Sequence, residues 1–181
     1  MSDSALRRTI HVSTGAVVLV GVFAGWDTLR LGMTGLAVVA LFVELVRLRF
    51  AVFREVLART VPVFRPEESR RPCGAFWLLF GYASAAWIPV PGPVAGILTA
   101  AVADPIASVV GGRWGEGEPK SWIGTGAVLA ASFLVLLALG MSLVSVVAAS
   151  AAAAASERWS RPLDDNLVLA PAVAAVIWML N

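Results

Sequence analysis

An aspartate followed by a proline interrupts a long apolar segment at Asp104-Pro105. A carboxylate in an apolar segment is costly to keep ionised, so residues of this kind are usually functional. Proline also removes a backbone donor and disturbs a helix, which frees carbonyl groups beside the carboxylate. We predict that the segment is locally unwound here and that Asp104 is a catalytic carboxylate that binds Mg²⁺. The alternative is a protonated aspartate hydrogen-bonded to a neighbouring helix.

Two aspartates and an asparagine precede the last apolar segment, at Asp164, Asp165 and Asn166. Such residues are favoured helix N-caps, so Asp165 or Asn166 can simply begin a helix. One cap does not need three of them, and the repulsion between adjacent carboxylates favours a bound cation. We predict that Asp164 and Asp165 are catalytic metal ligands and that Asn166 contacts a nucleotide.

A glycine-rich polar stretch that begins near Arg113 ends in Lys120, with Ser121 and Thr125 at the start of the next apolar segment. Helix N-termini attract anions, and basic side chains neutralise phosphate charge. The stretch is not a Walker A loop, because Pro119 stands before the lysine where that motif requires glycine. We predict a nucleotide phosphate site here, and a flexible polar loop is the alternative.

Other charged residues lie in or beside apolar segments. His11 stands at the start of the first segment and is a candidate catalytic base. Arg65 and Glu68 belong to a loop of mixed charge that is predicted to contact the nucleotide. Glu44 and Arg47 are one helical turn apart, so an internal ion pair accounts for both.

The composition decides which elements position these residues. The chain is 59% hydrophobic and 14% charged, whereas a soluble domain carries roughly 25% charged residues. Long unbroken apolar runs indicate membrane-spanning helices rather than barrel strands. Cys73 is the single cysteine, which excludes a disulfide framework and a cysteine zinc cluster. We expect one catalytic membrane domain over residues 1–181.

Seven apolar segments are predicted to span the membrane. The charge-free stretch from Trp122 to Ser156 is too long for one span of about 20 residues, so a break at Gly140 divides it. An amphipathic stretch over residues 50–62 either lies on the interface or extends the second span. The segments cover approximately residues 10–25, 31–48, 74–88, 94–110, the two halves of 122–156, and 167–180.

The basic residues predict the orientation of these spans. With the N-terminus in the cytoplasm, every lysine and arginine except Arg30 falls on the cytoplasmic side. Such a bias is typical of correctly placed spans. The expected protein is therefore all-α and polytopic, with about seven transmembrane helices in the cell membrane and its active site at the cytoplasmic face. The same distribution between spans argues against a nucleic-acid partner.

In the order and placement of these residues the chain resembles the CTP-dependent lipid-alcohol kinase family, which includes dolichol kinase, phytol kinase and the CTP-using diacylglycerol kinase. The resemblance covers most of the chain. The residues that carry it are Arg7-Arg8, His11 and Gly15; Glu44 and Arg47; Arg65-Pro66, Glu68 and Gly74; Asp104-Pro105, Ala107 and Ser108; Gly111 or Gly112, and Gly115; Lys120-Ser121, Gly124-Thr125 and Ala127; and Glu157, Asp164-Asp165-Asn166-Leu167 and Pro171.

The resemblance implies that the γ-phosphate of CTP is transferred to the hydroxyl of a polyprenol, phytol or diacylglycerol that resides among membrane lipids. Asp104 with Asp164 or Asp165 would hold Mg²⁺, while Lys120 and Arg113 neutralise charge. The base is His11 or the aspartate pair. A homodimer is also compatible with the sequence.

Two other functions are alternatives. Phosphatidate cytidylyltransferases are similar in the aspartate-bearing segment and the late acidic loop. They are usually longer, and this chain lacks their closing Lys-Asp…His-Gly-Gly pattern. A small transporter with Asp104 as its ion site would carry polar residues in both membrane halves, whereas the outer half here is nearly uncharged.

Overall fold

The computed structural model describes residues 3–60, 68–115, 120–160 and 162–181, and within them the chain is helical and has no β-strand. The prediction of an all-α protein is confirmed. A turn of 3₁₀ helix at Gly15–Val17 joins the first two α-helices. In chain order the helices are α1 (Asp3–Thr14), α2 (Val18–Ala24), α3 (Trp26–Arg49), α4 (Ala51–Thr60), α5 (Gly74–Ala86), α6 (Gly92–Trp114), α7 (Trp122–Ala138), α8 (Leu143–Trp159) and α9 (Asp165–Leu180).

Most of the helices are apolar, and some are long enough to cross a membrane. Three stretches within the described residues have the length and hydropathy to cross a membrane, and shorter apolar helices accompany them. Large side chains such as Phe42 and Leu134 are 69% and 65% exposed, which suits a surface solvated by lipid tails. The long stretches are Ser4–Ala24, Trp26–Arg49 and Gly92–Trp114. The number of spans and the side on which the N-terminus lies stay predictions.

The predicted break at Gly140 is confirmed. Helix α7 ends at Ala138 and α8 begins at Leu143, and Gly140 between them has a φ of 73°. This left-handed conformation is one that glycine adopts without steric strain. Ser142 caps α8, because its side chain accepts a hydrogen bond from the Ser145 backbone N–H. The long apolar stretch is therefore two helices.

The prediction that Pro105 unwinds its segment is wrong. Helix α6 runs without interruption from Gly92 to Trp114, and Pro105 is buried within it. Proline removes one backbone hydrogen bond, but a helix that packs against neighbours is held mainly by those tertiary contacts. Since α6 packs against both α7 and α9, its helical path is kept through the proline.

The amphipathic stretch over residues 50–62 does not extend the second span. Phe50 leaves the helical region, with φ −114° and ψ 115°, and thereby ends α3. Helix α4 then begins at Ala51 as a separate element, and none of its residues is buried. A place on the membrane interface stays a prediction for this helix.

Helices α5, α6 and α9 pack closely through glycines. A Cβ atom at Gly81 would lie 2.3 Å from the carbonyl oxygen of Asn166, and one at Gly96 would lie 2.3 Å from that of Ala170. A side chain at either position would overlap the backbone of α9, so only glycine permits these distances. Gly81 thus fixes where the first turn of α9, which contains Asn166, packs along α5.

Candidate active site

A cavity of about 420 Å³ lies at one end of the helix bundle. It is lined by residues 7–11 of α1, the starts of α5, α7 and α9, the C-terminal half of α6 and the end of α8. Helices that alternately begin and end at one cavity run antiparallel, as the distribution of basic residues predicts. Among the predicted site residues, the cavity brings together His11, Glu68, Asp104, Lys120, Ser121, Asp164, Asp165 and Asn166.

Asp104 lies beside His11. The distance from His11 Nδ1 to Asp104 Oδ2 is 3.5 Å, and the two side chains are 15% and 30% exposed. The 3₁₀ turn that follows α1 packs closely on α6, because a Cβ atom at Gly15 would lie 2.9 Å from the Ala101 Cβ, and this packing brings the two side chains together. A carboxylate at this distance stabilises a protonated imidazole and helps to orient it. The pair is therefore suited to accept a proton in the cavity.

Lys120 lies between two acidic residues on the opposite wall. Its Nζ donates hydrogen bonds to an Asp165 carboxylate oxygen and to the Glu157 carbonyl oxygen, and it lies 3.5 Å from Glu157 Oε1. Arg158 holds this segment in place: its guanidinium stacks 4.2 Å from the Trp122 ring centroid and donates to the Lys120 carbonyl oxygen. The lysine is thereby kept in the cavity rather than in solvent.

Asp164, rather than Asp165 or Asn166, is the N-cap of α9. Its Oδ1 accepts hydrogen bonds from the Asn166 backbone N–H at 3.1 Å and from the Asn166 side-chain amide at 2.8 Å. Burial raises the pKa of Asp164, and the neighbouring Asp165 charge acts in the same direction, whereas the hydrogen bonds from Asn166 oppose them. Capping occupies Asp164 and leaves Asp165 to contact Lys120.

Glu68 is held in the cavity by the predicted ion pair of α3. Arg47 forms two hydrogen bonds with the Glu44 carboxylate, at 2.6 and 2.7 Å, and it donates to the Glu68 and Arg71 carbonyl oxygens. Glu44 also accepts from the Cys73 backbone N–H at 2.7 Å. This buried pair is confirmed, and it fixes the turn that leads into α5.

Ser121 and Thr125 have partners within the protein. The Ser121 hydroxyl caps α7 by accepting from the Gly124 backbone N–H at 3.0 Å. The Thr125 hydroxyl donates to the Ser121 carbonyl oxygen at 3.2 Å and lies 3.1 Å from Glu157 Oε2. Ser121 lines the cavity, whereas Thr125 is buried behind Glu157. Nucleotide contacts of both residues stay predictions.

Two predicted nucleotide ligands lie away from this arrangement. Arg113 is exposed, with its guanidinium 5.1 Å from the Trp114 ring centroid, and it is outside the set of described residues that line the cavity. Arg65 lies outside the described residues. Their roles stay predictions.

Glu157, Arg7 and Arg8 line the cavity although no specific role was predicted for them. Glu157 is only 8% exposed, and it was identified only through the family resemblance. The signal that points to it is a carboxylate at the end of a segment that is otherwise free of charge. The two arginines begin the first span, where they were noted for the positive-inside rule and for the family resemblance.

Two further cavities adjoin the first. A groove of about 260 Å³ between α1 and α5 shares His11, Asp104 and Glu68 with it. A larger space of about 990 Å³ lies beyond Lys120 and Asp165 and includes Trp77. Glu68 lines all three. The polar cavity therefore connects an apolar groove on one side with a wider polar space on the other.

The carboxylates fit Mg²⁺ only in company with a phosphate ligand. Within the described residues, no three histidine, cysteine, aspartate or glutamate side chains are grouped as a complete metal site. Mg²⁺ is usually bound through one or two carboxylates, waters and substrate phosphates rather than by a full protein cage. Asp104, Asp164 and Asp165, which line one cavity, match that requirement.

The chain is 30% identical to the phytol kinase of Synechocystis sp. over 194 aligned residues, which cover 95% of this chain and 77% of the relative. No protein-family model matches the chain, and no solved structure matches it. The similarity therefore extends over nearly the whole of this chain.

Proposed function

This chain belongs to the lipid-alcohol kinase family that includes that phytol kinase, and we propose that it transfers the γ-phosphate of CTP to the hydroxyl of a lipid alcohol with the help of Mg²⁺. One observation carries the proposal: the apolar groove and the polar cavity meet at His11 and Asp104. A kinase of this kind must bring a water-soluble nucleotide and a membrane-resident hydroxyl to the same point. The transporter alternative is set aside, because the relative is a kinase.

The basic residues support phosphate binding in the polar cavity. Arg7 and Arg8 line it on α1, and Lys120 lines it just before α7. Guanidinium groups and a lysine ammonium are the usual partners of phosphate oxygens, and they neutralise charge that develops during transfer. We place the triphosphate between these basic residues and the nucleoside in the wider space that contains Trp77.

The metal proposal uses the carboxylates of the same cavity. Asp165 contacts Lys120, and Asp164 and Asp104 line the same cavity. A carboxylate has two oxygens and about four lone-pair sites, so Asp104 can serve both His11 and a cation. When bound there, Mg²⁺ supplies charge neutralisation for the phosphate oxygens.

The transfer step requires a base near the alcohol. The alcohol oxygen attacks the γ-phosphorus, the bond from that phosphorus to the β–γ bridging oxygen breaks, and CDP leaves. The hydroxyl proton passes to His11, which lies at the junction of groove and cavity and 3.5 Å from Asp104. Asp104 then stabilises the imidazolium that results.

The direct test incubates purified protein with γ-labelled CTP or ATP and a panel of polyprenols, phytol and diacylglycerol. We expect the label to move from CTP to an alcohol. Release of pyrophosphate together with CDP-lipid would instead support the cytidylyltransferase alternative. An absence of lipid product with every nucleotide would overturn the proposed function.

A matched pair of variants tests the site in the same assay. Asp104→Asn keeps the side-chain size and removes the charge, so turnover should fall by about 10²–10⁴-fold, because the base His11 loses the partner that stabilises its protonated form. Asp27→Asn is the control, because Asp27 is 88% exposed and pairs with Arg30 outside the cavity. Near-normal turnover of Asp104→Asn would make Asp104 a structural residue.

A further inference from the structure

The groove between α1 and α5 has two chemically different ends. Its apolar wall is formed by Ile10 on α1 and by Ala75, Leu78 and Leu79 on α5. Its polar end is formed by residues that also line the catalytic cavity, above all His11 and Asp104. A molecule with a hydroxyl head and a hydrocarbon tail matches this order of surfaces.

The groove is bounded on the inside and open on the outside. Leu78 on its inner wall is only 7% exposed, whereas Ile10 on its outer edge is 40% exposed. Thr14 lies one turn after Ile10, and its hydroxyl is 3.1 Å from the Tyr82 hydroxyl, which joins α1 to α5 beyond the apolar wall. A tail cannot continue straight between the two helices past this contact, so it must leave past Ile10 into the lipid.

Resting on the kinase function above, we propose that this groove holds the first part of a single isoprenoid chain and that Ala75, Leu78 and Ile10 determine specificity for it. The volume of about 260 Å³ is below the roughly 300–1,000 Å³ of sites that enclose a whole drug-sized ligand. Because the Thr14–Tyr82 contact closes one end of the groove and the groove opens past Ile10, it holds the beginning of one chain, and the second chain of a glyceride would have to lie outside it. Diacylglycerol is therefore a poor acceptor, and single-chain prenyl alcohols are good ones.

The groove selects by shape rather than by hydrophobic attraction. Lipid tails are as apolar as leucine side chains, so a hydrocarbon chain gains little by moving from the bilayer into the groove. What the groove changes is the position of the hydroxyl, which it presents at His11 and Asp104. A misfit of one methylene in an apolar pocket typically changes kcat/KM by about 10- to 200-fold, and this is the scale on which groove variants should act.

Narrowing the groove tests the proposal. Ala75→Leu adds three carbons to the apolar wall. We expect kcat/KM for phytol to fall by about 10- to 200-fold, because the KM for the alcohol rises while the KM for CTP stays the same. Ala130→Leu is the matched control, because Ala130 is an exposed residue of α7 outside the groove. Equal kinetics of the two variants in an active enzyme would overturn the groove assignment and leave the kinase function standing.

A second measurement does not depend on turnover. A prenyl alcohol with a diazirine on its second isoprene unit is incubated with the wild-type protein without nucleotide and irradiated. We expect adducts on residues 10–14 and 75–79, which an excess of phytol removes and an excess of diacylglycerol does not. Adducts confined to α7 or α8, or equal competition by diacylglycerol, would contradict the proposal even if no kinase activity were found.

Discussion

Lys120 and Asp165 hold opposite charges together in the cavity. The two residues are 45 positions apart in the sequence and share a short hydrogen bond, while Asp164 is occupied by capping α9. A partly buried lysine needs an anionic partner. In the proposed reaction a phosphate group would take over that role, and Asp165 would then be available to bind Mg²⁺.

Asparagine substitutions separate capping from metal binding. Asn caps a helix about as well as Asp, so Asp164→Asn should leave thermal stability unchanged. Asp165→Asn removes an anion without shortening the side chain, and we expect it to lower lipid phosphorylation by about 100-fold or more, with partial rescue by high Mg²⁺ or Mn²⁺. The measurements are thermal unfolding in detergent and turnover against metal concentration. Full activity of both variants would remove this loop from the catalytic site.

The helices position the site through close backbone contacts as much as through side chains. Gly81 of α5 lies against the backbone of Asn166 and Leu167 at the start of α9. Gly111 and Gly124 bring α6 and α7 together beside Ser121. Any change in these distances moves the cavity wall, because densely packed helices transmit small displacements.

Gly81→Ala is predicted to disturb the site from a distance. The new methyl group would overlap the Asn166 carbonyl oxygen, so we expect a loss of roughly 1–3 kcal/mol in stability and reduced activity as α9 shifts. Gly126→Ala on α7 is the control, because a Cβ atom there meets no other atom within 4 Å and alanine favours a helix. The stability of the two variants is compared by thermal unfolding and their activity by the lipid kinase assay. If the two variants behave alike, α9 does not depend on this contact.

Within the described part of the chain, the charged side chains of the site lie at one end of the helix bundle and few charged side chains lie at the other. At the far end, Arg30 donates a hydrogen bond to Asp27 Oδ1 at 2.8 Å and another to the Ala86 carbonyl oxygen at 3.2 Å. The cavity end carries the acidic and basic residues of the site. This polarity follows from placing both substrates of the kinase at one membrane surface, and it predicts that the cavity faces the cytoplasm.

Cysteine reporters test that orientation. Cys73 is buried, so the background variant is Cys73→Ser and the reporters are placed at exposed residues. Phe50→Cys and Leu163→Cys, 57% and 51% exposed at the cavity end, should react with an impermeant thiol reagent only from the cytoplasm. Val90→Cys and Leu143→Cys, 45% and 65% exposed at the other end, should react only from outside. Reaction of all four from one side would contradict the seven-span arrangement.

The sequence by itself determined the features that depend on composition and on nearby residues. Helical membrane character follows from the scarcity of charge, and the break at Gly140 follows from the length of one span. The Glu44–Arg47 pair was predictable because residues three apart share a helix face. The candidate carboxylates were identified because ionisable groups are costly in apolar segments.

Only the tertiary structure decided which distant residues meet. The contacts of His11 with Asp104 and of Lys120 with Asp165 depend on how α1 packs on α6 and how α8 packs against both α7 and α9. No local pattern encodes those distances, since each results from the docking of whole helices. The same packing kept α6 helical through Pro105, where local propensity predicted a break, because contacts along a packed helix outweigh the loss of one hydrogen bond.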